Sequence, residues 1–479
     1  MQFDLQFIRR ALPDASIIGS DVPPDLSFSI DSRMMVPGDI FVAMPGTKFD
    51  GHDFVSDAVK KGAAGLIIEE RCQTAVLGVI DPSHLKKMVV MVVADAKMAL
   101  VELARAWRVQ FTRPVVAITG SVGKTTTRTI LVNILEGAGR RVVSSHGNQN
   151  TLLGVALTIL RMRGVHDVAV FEVGISMRGE MQKIADLLRP TNAVITNVGH
   201  QHMDGLGSMP DVVQEKRKIF HYFTPKSVGV VYGDQSILSA ISYPHPVVRF
   251  GSRTTNQVQA RKVQVTGGRM NFILRVYASK FEVSIEGVHT GVITNALAAA
   301  SLAHLLEVSH ELIASGISKP AIVPGRFEQR ALANEQGIMI NDSYNASPES
   351  VKEGLLAFER IETRIGKVVV LGDMCGLGNS APFWHRQIGR FFAKVPTLVR
   401  VILVGNLVHW TRKTLPVPVK ADVVATWHEA LEILRQELVR QQAAVLVNGS
   451  RDMGLENLVD ACTNQPCQLP KRGAQQLRV

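Results

Sequence analysis

The strongest constraint on the fold is a strand, a glycine-bearing turn and a helix that follow one another directly. The run Val115–Thr119 has the composition of a buried strand, and a helix-period run of isoleucine and leucine covers residues 130–135. Between them lies Thr119–Thr125, with the sequence Thr-Gly-Ser-Val-Gly-Lys-Thr. Glycines let backbone N–H groups approach a phosphate, the helix N-terminus adds positive charge, Lys124 can reach the β- and γ-phosphates, and Thr125 can bind Mg²⁺. The pattern predicts a nucleotide-binding loop.

The loop departs from the common Walker pattern, because the position six before Lys124 is Ile118 rather than glycine. A Gly-Lys-Thr at the start of a helix can also arise by chance. The buried strand before the loop and the amphipathic helix after it favour nucleotide binding over chance.

Basic residues outnumber acidic ones, with 53 Lys and Arg against 42 Asp and Glu and a formal net charge of +11. Such a charge attracts anions, so nucleic acid, phosphate-rich small molecules and acidic lipid surfaces are all possible partners. The basic residues are spread along the chain without a dense run or an RNA-binding aromatic signature, which favours nucleotide-type substrates. The basic tail Lys471–Arg478 is expected to be a solvated end.

The length of 479 residues predicts about three domains. Hydrophobic residues at 46% and charged residues at 20% exclude disordered, collagen-like and disulfide-rich classes. Residues 1–112 are expected to form a small α/β domain, residues 113–318 a central domain built on the parallel sheet of the glycine loop, and residues 319–479 a Rossmann-like domain. The predicted fold class is therefore α/β with three domains.

The three segments differ in their apolar patterns. Short strands separated by turns mark the first, continuous apolar runs typical of central parallel strands mark the second, and strands alternating with helices mark the third. A period-two pattern around Thr266-Gly267-Gly268 also indicates a hairpin. The predicted strands are Ile40–Met44, Gly65–Glu69, Met88–Ala94, Val115–Thr119, Val168–Val173, Ala193–Val198, Val368–Leu371, Val401–Val404 and Ala444–Val447, and the predicted helices include Phe54–Lys61, Glu349–Arg360 and His428–Val439.

A cytoplasmic protein is expected. The longest apolar run, Met88–Ala94, is far shorter than the ~20 residues that a membrane helix needs, and the N-terminus lacks the pattern of a signal peptide. The four cysteines have no metal or disulfide spacing, which fits a reducing compartment. We expect a monomer without a membrane span and without a nucleic-acid partner.

Three further residues are candidates for chemistry. Glu172 lies near the end of a predicted central strand, where a charge is costly unless it is paired or binds a cation. His202 follows the next strand, and from its spacing a structural histidine is as favoured as a metal ligand. Lys216, within Glu215-Lys216-Arg217-Lys218, is expected from its neighbours alone to lie on a solvated helix face.

The motifs, taken in order, resemble the Mur ligases, which extend the stem peptide of bacterial cell-wall precursors. The glycine loop with Thr126 resembles their ATP loop, and the whole set is most similar to the branch that adds D-alanyl-D-alanine. Each motif alone is weak, but their order across all three segments is specific. The other segments that carry the resemblance are 31–33 (Asp-Ser-Arg), 37–43, 50–54, 341–348 (Asn-Asp-Ser-Tyr-Asn-Ala-Ser-Pro), 371–374 (Leu-Gly-Asp-Met) and 448–451 (Asn-Gly-Ser-Arg).

The resemblance implies a specific reaction. An ATP-dependent ligase would add D-alanyl-D-alanine to UDP-N-acetylmuramoyl-tripeptide through an acyl phosphate, during synthesis of peptidoglycan precursors for cell-wall growth, shape and division. The first domain would hold the UDP-sugar peptide, and the third would contact ATP and the incoming dipeptide. Lysine and diaminopimelate both stay open as the third residue of the peptide, because that choice depends on the shape of a pocket.

The resemblance also implies roles for individual residues. Lys124, Lys216 and His202 would be catalytic, with Lys216 carbamoylated by CO₂ so that it becomes an anionic metal ligand. Mg²⁺ would be held by Thr125, Glu172, His202 and Lys216. ATP would be bound by Gly120, Ser121, Gly123, Lys124, Thr125 and Thr126, with Asn295 at the adenine and Arg326 and Asp342 reaching from the third domain. The other substrates would be bound by Ser32, Arg33, Asn148, Asn150, Asn345, Ser450 and Arg451.

Several positions depart from the family pattern. Gly376 stands at a usual glutamate, and Asn448 and Asp452 flank Gly-Ser-Arg in place of a lysine and a small residue. Gly291 and Val292 occupy the usual His-Asn positions ahead of Asn295, so part of the adenine contact is expected to be lost. Arg217 and Lys218 replace a small residue and a glutamate beside Lys216, where they would either stabilise the carbamate or point to solvent.

Three alternatives stay open from the sequence. A ligase of the same superfamily with another acceptor would turn over ATP only with that acceptor. A nucleic-acid-binding P-loop ATPase, suggested by the net charge, would show salt-sensitive DNA binding that stimulates hydrolysis. A catalytically silent binding protein, suggested by the departures, would bind the UDP-peptide without releasing phosphate.

Overall fold

The computed structural model describes residues 3–19, 27–333, 337–363, 366–417, 419–440 and 442–463. They form three α/β domains, each with one mixed sheet in which parallel pairing dominates. Among these residues, no helix is long and apolar enough to cross a lipid bilayer. The tail Lys471–Arg478 lies outside the described residues.

The first domain contains a five-stranded sheet in the order β1-β5-β4-β3-β2. Strands β2 to β5 are parallel, and β1 pairs antiparallel with β5. Every residue of β3, β4 and β5 is buried, as their continuous apolar runs predict. The strands are β1 Ser16–Ile18, β2 Phe28–Ser29, β3 Ile40–Val42, β4 Gly65–Glu69 and β5 Val89–Val93, and the helices are α1 Leu5–Ala11, α2 Val55–Lys60, α3 Gln73–Gly78, α4 Pro82–Leu85 and α5 Ala96–Val109.

The central domain contains a nine-stranded sheet in the order β14-β13-β12-β11-β10-β9-β6-β8-β7. The strands are β6 Val115–Thr119, β7 Val142–Ser144, β8 Val168–Glu172, β9 Asn192–Ile195, β10 Val228–Tyr232, β11 Val247–Gly251, β12 Val258–Thr266, β13 Arg269–Val276 and β14 Ser279–Glu286. The helices are α6 Lys124–Gly137, α7 Leu152–Leu160, α8 Glu180–Leu188, α9 Met203–Leu206, α10 Met209–Arg217, α11 Ser236–Ser239, α12 Gly291–Leu305 and α13 His310–Ile317.

The strand of the glycine loop, β6, lies inside this sheet between β8 and β9, and all three are parallel. Their carboxyl ends therefore meet at one edge, where an open parallel sheet presents its ligand crevice. The predicted hairpin is confirmed as β12 and β13. It also extends the same sheet, because β12 pairs parallel with β11.

The third domain contains a six-stranded sheet in the order β15-β16-β20-β17-β18-β19. All its pairs are parallel except β15 with β16, so the predicted Rossmann-like alternation is confirmed with one antiparallel edge. The strands are β15 Glu328–Ala331, β16 Gly337–Asp342, β17 Gly366–Gly372, β18 Leu398–Val404, β19 Lys420–Val424 and β20 Ala443–Asn448, and the helices are α14 Pro348–Glu359, α15 Ala381–Phe391, α16 Val408–Arg412, α17 Trp427–Arg440 and α18 Leu455–Cys462.

The first two domains share an apolar core, whereas the third domain has cores of its own. One apolar cluster runs from Phe3 and Trp107 in the first domain to Phe171 and Leu188 beneath the central sheet, so these two domains share a core. The two clusters that pack on the third sheet contain residues of the third domain only. Within the described ranges, the third domain therefore shares no apolar cluster with the other two domains.

Trp107 on α5 anchors the shared core. It is 1% exposed, its ring contacts those of Phe3 and Phe7 at 5.4 and 5.2 Å between centroids, and its indole N–H donates to the Met162 carbonyl at 2.9 Å. The side chain thus fills space between two domains and also satisfies a buried carbonyl.

We predict that Trp107→Ala lowers the unfolding free energy of this core by about 3–5 kcal/mol, the range seen when a buried aromatic is truncated. Val109→Ala, on the same helix at a position 73% exposed, is the matched control and should change it by less than about 0.5 kcal/mol. Calorimetric melting of both variants checks this expectation. Equal melting temperatures would contradict the role of Trp107.

Candidate functional site

The candidate site is built on the glycine loop at the carboxyl edge of β6. Gly120 and Gly123 have φ angles of 150° and 85°, and space around both is closed. A Cβ at Gly120 would lie 1.9 Å from Thr196 Oγ1, and one at Gly123 would lie 2.0 Å from Asn295 Oδ1. Only glycine therefore fits at either position. The predicted adenine contact, Asn295 on α12, lies directly against the loop.

The segment after β9 holds the loop in shape. Thr196 Oγ1 and Asn197 Nδ2 both donate to the Val122 carbonyl, at 2.6 and 3.1 Å, and Val122 N–H donates to Asn197 Oδ1 at 2.8 Å. Ser121 Oγ accepts from Gly199 N–H at 2.8 Å. These contacts end β9 at Ile195, earlier than the predicted strand end at Val198, because the side chains of the following residues turn to the loop.

Lys124 lies over the loop from the first turn of α6. Its ammonium donates to the carbonyls of Gly120 at 2.9 Å and Ser121 at 3.3 Å. The pKa of Lys124 is lowered to about 8, mainly by burial, with Glu172 opposing the shift and the charge of Arg326 adding to it. Thr125 and Thr126 follow in the same turn, Thr125 partly exposed and Thr126 buried.

Glu172, the last residue of β8, is 1% exposed. Its Oε1 accepts from Asn150 Nδ2 at 2.9 Å, and its backbone N–H donates to Ser145 Oγ at 3.0 Å. Its Oε2 is buried without a hydrogen-bond partner among the described residues, and Arg128 Nε is 3.8 Å away. A buried carboxylate oxygen without a partner is costly, and it is the donor type that Mg²⁺ prefers. The residues present therefore fit a divalent cation.

Sequence reasoning missed Arg128 and Ser145 in this group. Arg128 comes four residues after Lys124, so both side chains lie on one face of α6. That spacing could have identified Arg128. Ser145 follows β7 and reaches Glu172 only because β7 pairs with β8, which the sequence does not specify.

Lys216 on α10 is 4% exposed, so the expectation of a solvated helix face is wrong. No hydrogen bond or ion pair with its ammonium is found among the described residues. Burial, with the nearby charge of Lys124 as a second cause, places the pKa of Lys216 far below its ordinary value. A buried lysine in these surroundings favours the neutral amine.

The neighbours of Lys216 explain its burial. Glu215 Oε1 accepts from the Gly179 and Met181 N–H groups at the start of α8, at 2.8 and 3.2 Å, which draws α10 onto α8. Lys218 pairs with Glu215 Oε2 at 2.6 Å, and Arg217 lies over the Tyr243 ring at 5.2 Å. Both flanking cations are partly buried and contact Glu215 or Tyr243.

His202 lies in the turn after β9 with a φ of 51°, and the third domain reaches this turn. Met203 N–H donates to the Gly376 carbonyl at 2.8 Å. Two residues earlier, His200 Nδ1 pairs with Glu349 Oε1 at 2.7 Å and its ring contacts Trp384. Sequence reasoning missed His200 and Glu349, which are 149 residues apart.

A cavity of about 500 Å³ lies beside this contact. It is lined by both domains and its wall is partly apolar. The lining residues are His200, Met203, Gly207, Ser208, Met209, Leu377, Gly378, Asn379, Ser380, Phe383 and Trp384.

The third domain also brings cations to the loop. Arg326 stacks on the Tyr344 ring at 4.1 Å, and Arg451 lies 5.9 Å from the same ring. Burial raises the pKa of the Tyr344 hydroxyl. Of the central-domain residues, Glu172 raises it further and Arg128 lowers it. Arg326, Tyr344 and Arg451 therefore face the group around Glu172.

Asp342 ends β16 beside Arg326. Its carboxylate accepts from Phe327 N–H at 3.1 Å and from Asn448 Nδ2 at 2.7 Å. Burial raises the pKa of Asp342 to about 7, against the opposing effect of Arg326. A neutral amide at position 448, where a lysine was expected, leaves this raised pKa in place because it adds no positive charge.

The remaining predicted substrate residues are more dispersed. Ser32 is 8% exposed, and its carbonyl accepts from Lys61 Nζ at 2.6 Å. Arg33 is 66% exposed and pairs with Asp31 through two nitrogens. Over the part of the chain described, no hydrogen bond or ion pair joins Ser32 or Arg33 to the glycine loop.

Asn148, Asn345 and Ser450 make local contacts. The Asn148 carbonyl accepts from Asn150 N–H at 2.7 Å, and Asn345 Oδ1 accepts from the next backbone N–H at 2.9 Å. Ser450 Oγ accepts from Cys375 N–H at 2.8 Å. Asn150, in contrast, joins the central group directly through Glu172.

Three family profiles match the chain in order. They are "Mur ligase family, catalytic domain" over residues 27–108, "Mur ligase middle domain" over 118–303 and "Mur ligase, glutamate ligase domain" over 325–451. UDP-N-acetylmuramoyl-tripeptide–D-alanyl-D-alanine ligase of Escherichia coli (strain K12) is 31% identical over 92% of this chain and 94% of its own length. The protein of that name from Bacillus subtilis (strain 168) is 30% identical over 91% and 93%.

Solved structures agree with the fold. A crystal structure of MurF from Acinetobacter baumannii matches with a TM-score of 0.81 at 28% identity, covering 97% of this chain and 99% of that one. The structure of MurF ligase from Thermotoga maritima in complex with ADP matches with a TM-score of 0.75 at 25% identity, covering 91% and 96%.

We predict that Asp342→Asn flattens the pH dependence of stability. Between about pH 4 and pH 7 the folded protein keeps the proton of Asp342 that the unfolded chain releases, so its unfolding free energy falls as pH rises, by up to about 1.4 kcal/mol per unit. Asparagine can be accommodated at position 342. If the side-chain amide of Asn448 rotates by 180°, its Oδ1, which is buried without a hydrogen-bond partner, can accept from the new Asn amide. Urea unfolding across this range checks the prediction, and parallel profiles would contradict it.

Proposed function

Since the chain belongs to the Mur ligase family, we propose that it joins D-alanyl-D-alanine to UDP-N-acetylmuramoyl-tripeptide with hydrolysis of ATP to ADP and phosphate. The observation that supports this most is the buried Glu172 Oε2, which has no hydrogen-bond partner among the described residues and whose charge acts on Lys124 of the glycine loop. Two relatives that are 30–31% identical over nearly the whole chain are named as ligases of these two substrates. The same membership favours a ligase over a nucleic-acid-dependent ATPase.

The reaction proceeds in two steps. A carboxylate oxygen of the tripeptide attacks the γ-phosphorus of ATP, the bond to the β-phosphate oxygen breaks, and an acyl phosphate and ADP result. The amine of D-alanyl-D-alanine then attacks the acyl carbon, loses a proton and expels phosphate. Lys124 and the loop N–H groups hold the phosphates, while Arg326 approaches from the third domain.

Mg²⁺ would be held by Thr125 and Glu172, with His202 and Lys216 serving a second ion. When bound, the metal neutralises phosphate oxygens and so favours phosphoryl transfer. Asn150 orients Glu172 by fixing Oε1, which leaves Oε2 for the cation. His202 lies in the turn that the third domain contacts, so its position depends on that contact.

Lys216 is proposed to carry a carbamate. Its neutral amine nitrogen would attack CO₂ and release one proton, which converts a potential cation into an anion with two oxygens. The support for this step is that a buried lysine beside Lys124 has no carboxylate partner among the described residues. An anionic oxygen ligand there would bind Mg²⁺ and neutralise the charge of Lys124.

We place the domain boundaries near residues 112 and 318. The first domain would hold the UDP-sugar peptide through Ser32 and Arg33, the exposed Arg33 being available to an anionic group. Asn148, Asn345, Ser450 and Arg451 would complete the path of the peptide and of the dipeptide. We also propose a monomeric enzyme that acts in the cytoplasm.

A phosphate-release assay tests the function. The protein is given Mg²⁺, ATP, UDP-N-acetylmuramoyl-tripeptide and one acceptor from a panel of D-alanyl-D-alanine, D-alanine, L-alanyl-L-alanine and duplex DNA. Release should require both the UDP-peptide and D-alanyl-D-alanine, and Lys124→Ala should reduce it at least about 100-fold, as for a lost transition-state contact. Stimulation by DNA or by another acceptor alone would refute the assignment.

We predict that Lys216→Ala is nearly inactive and that a short carboxylate such as acetate partly restores turnover, because it can supply the missing anionic oxygens. Bicarbonate should raise the activity of the parent enzyme and leave that of the variant unchanged. Lys218→Ala is the matched control, because it removes a neighbouring cation that pairs with Glu215. Full activity of Lys216→Ala without acetate would exclude the carbamate.

A further inference from the structure

The amino edge of the central sheet, at the opposite end from the glycine loop, carries a row of cations that we call the basic edge. The turns that lead into β6 to β10 meet there, because these five strands are parallel neighbours. Since adjacent strands lie about 4.8 Å apart, the row spans roughly 20 Å. The turns are 110–114, 138–141, 161–167, 189–191 and 221–227, and their cations are Arg113, Arg140, Arg141, Arg161, Arg163, Arg189 and Lys226.

Backbone contacts hold the turns of the basic edge side by side. The Arg141 N–H donates to Asp167 Oδ2 at 2.8 Å, and the Asp167 N–H donates to the Arg141 carbonyl at 2.8 Å. On the other side of β8, the Ala169 N–H donates to the carbonyl of Pro114 at 3.0 Å, directly after Arg113. Cations that are dispersed in the sequence are thus brought to one surface, which is why the sequence shows no dense basic run.

The charge of the basic edge is poorly compensated. Asp167 is the single acidic residue in these turns, and it already pairs with Arg141 at 3.3 Å. Arg113, Arg140 and Lys226 are exposed, and no hydrogen bond or ion pair of their side chains is found among the described residues. Exposed like charges held close together repel one another, so an anionic partner would be attracted to this surface.

A simpler role for these cations is to stabilise helix ends. Helices α5 to α8 all end at this edge, and a cation is favourable beside the carboxyl end of a helix. Arg108 acts in this way, since its Nε donates to the Leu188 carbonyl at the end of α8 at 2.7 Å. Arg163 does the same for α7, donating to the Leu160 carbonyl at 2.7 Å. The exposed cations before β6 and β10 make no such contact, so helix ends explain only part of the row.

Two exposed valines lie beside the cations. Val109 at the end of α5 is 73% exposed, and Val165 in the turn before β8 is 55% exposed. The indole N–H of Trp107 donates to the Met162 carbonyl at 2.9 Å and so joins these two segments. Cations mixed with exposed apolar side chains are typical of surfaces that lie in the headgroup region of an anionic bilayer. Duplex DNA offers phosphates too, but its backbone has no apolar layer for the valines.

We propose that the basic edge docks the enzyme onto an anionic lipid bilayer. The cations would pair with lipid phosphates, and the two valines would enter the boundary between headgroups and acyl chains. Arg113 and Gly120 lie at opposite ends of β6, roughly 20 Å apart along the strand. Docking therefore leaves the crevice at the glycine loop open to dissolved substrates, and the proposal does not depend on which reaction occurs there.

The experiment is sedimentation with vesicles made of equal parts phosphatidylglycerol and phosphatidylethanolamine, without nucleotide or peptide. The protein should bind these vesicles at least about ten times more strongly than phosphatidylcholine vesicles at about 50 mM NaCl, and raising NaCl to about 500 mM should remove most of the binding. The triple variant Arg113→Gln, Arg140→Gln and Lys226→Gln should bind at least about ten times more weakly, because each cation near an anionic surface contributes about fivefold.

The matched control removes the same charge from another part of the central sheet. Lys262, Arg269 and Lys280 are exposed on the strands β12 to β14, and their triple replacement by glutamine should leave vesicle binding within about twofold of the parent. Both triple variants should keep the parent's melting temperature and its phosphate release. Should the first triple variant fold poorly, Arg113→Gln and Lys226→Gln are measured singly, and each should weaken binding about fivefold.

Three results would overturn the proposal. The first is a parent protein that binds phosphatidylglycerol vesicles no better than phosphatidylcholine vesicles. The second is an equal loss in the two triple variants, which would assign binding to net charge rather than to the basic edge. The third is binding of duplex DNA at least as tight as binding of the vesicles, with DNA displacing them, which would make nucleic acid the partner. Because the assay contains no substrate, its result is independent of the proposed function.

Discussion

Crowding of positive charge around the glycine loop is the constraint on which the rest of the site depends. Arg326 helps to depress the pKa of Lys124, and Lys124 in turn helps to depress that of Lys216. Glu172 opposes this charge, but Asp342, with a pKa of about 7, carries only part of a negative charge near neutrality. Burying cations with so little compensation is unfavourable until anions arrive. Phosphates, a peptide carboxylate and the proposed carbamate would each supply the missing charge, which would couple substrate binding to the stability of the site.

Much of the fold could be predicted because its signals are local. The buried strands β4, β5 and β6 and the helix after β6 follow from apolar period alone, and the glycine loop follows from its place between a strand and a helix. The errors concern contacts that local sequence does not encode. Charged residues flank Lys216 in the sequence, as they do on a solvated helix face. Glu215 nevertheless holds α10 against α8, because its carboxylate accepts from an N–H group at the start of α8. His200 and Glu349 meet only because two domains meet.

The departures from the family pattern are better understood as alternative contacts than as losses. Gly376 has a φ of 72°, a conformation that favours glycine, and its carbonyl accepts from Met203 N–H beside His202. The backbone thus makes a contact between domains at a position where a glutamate side chain would be strained. Asn448 likewise replaces a lysine and still donates to Asp342. In both cases a neutral group makes the contact that this structure shows.

The distribution of the cores bears on how the enzyme excludes water. The first and central domains share one apolar cluster, so they are expected to move together, whereas the clusters of the third domain are its own. The contacts that join the third domain to the loop region include polar ones, His200 with Glu349 and Met203 with Gly376, and ring contacts such as His200 with Trp384. Domains joined without a large apolar interface are expected to move relative to one another. An acyl phosphate survives only if water is kept away, and products leave only if the site opens. Among the described residues, the third domain carries Arg326 and Asp342 and shares no apolar cluster with the other two domains, so a movement that brought it onto the loop would complete the site without having to form a common apolar core.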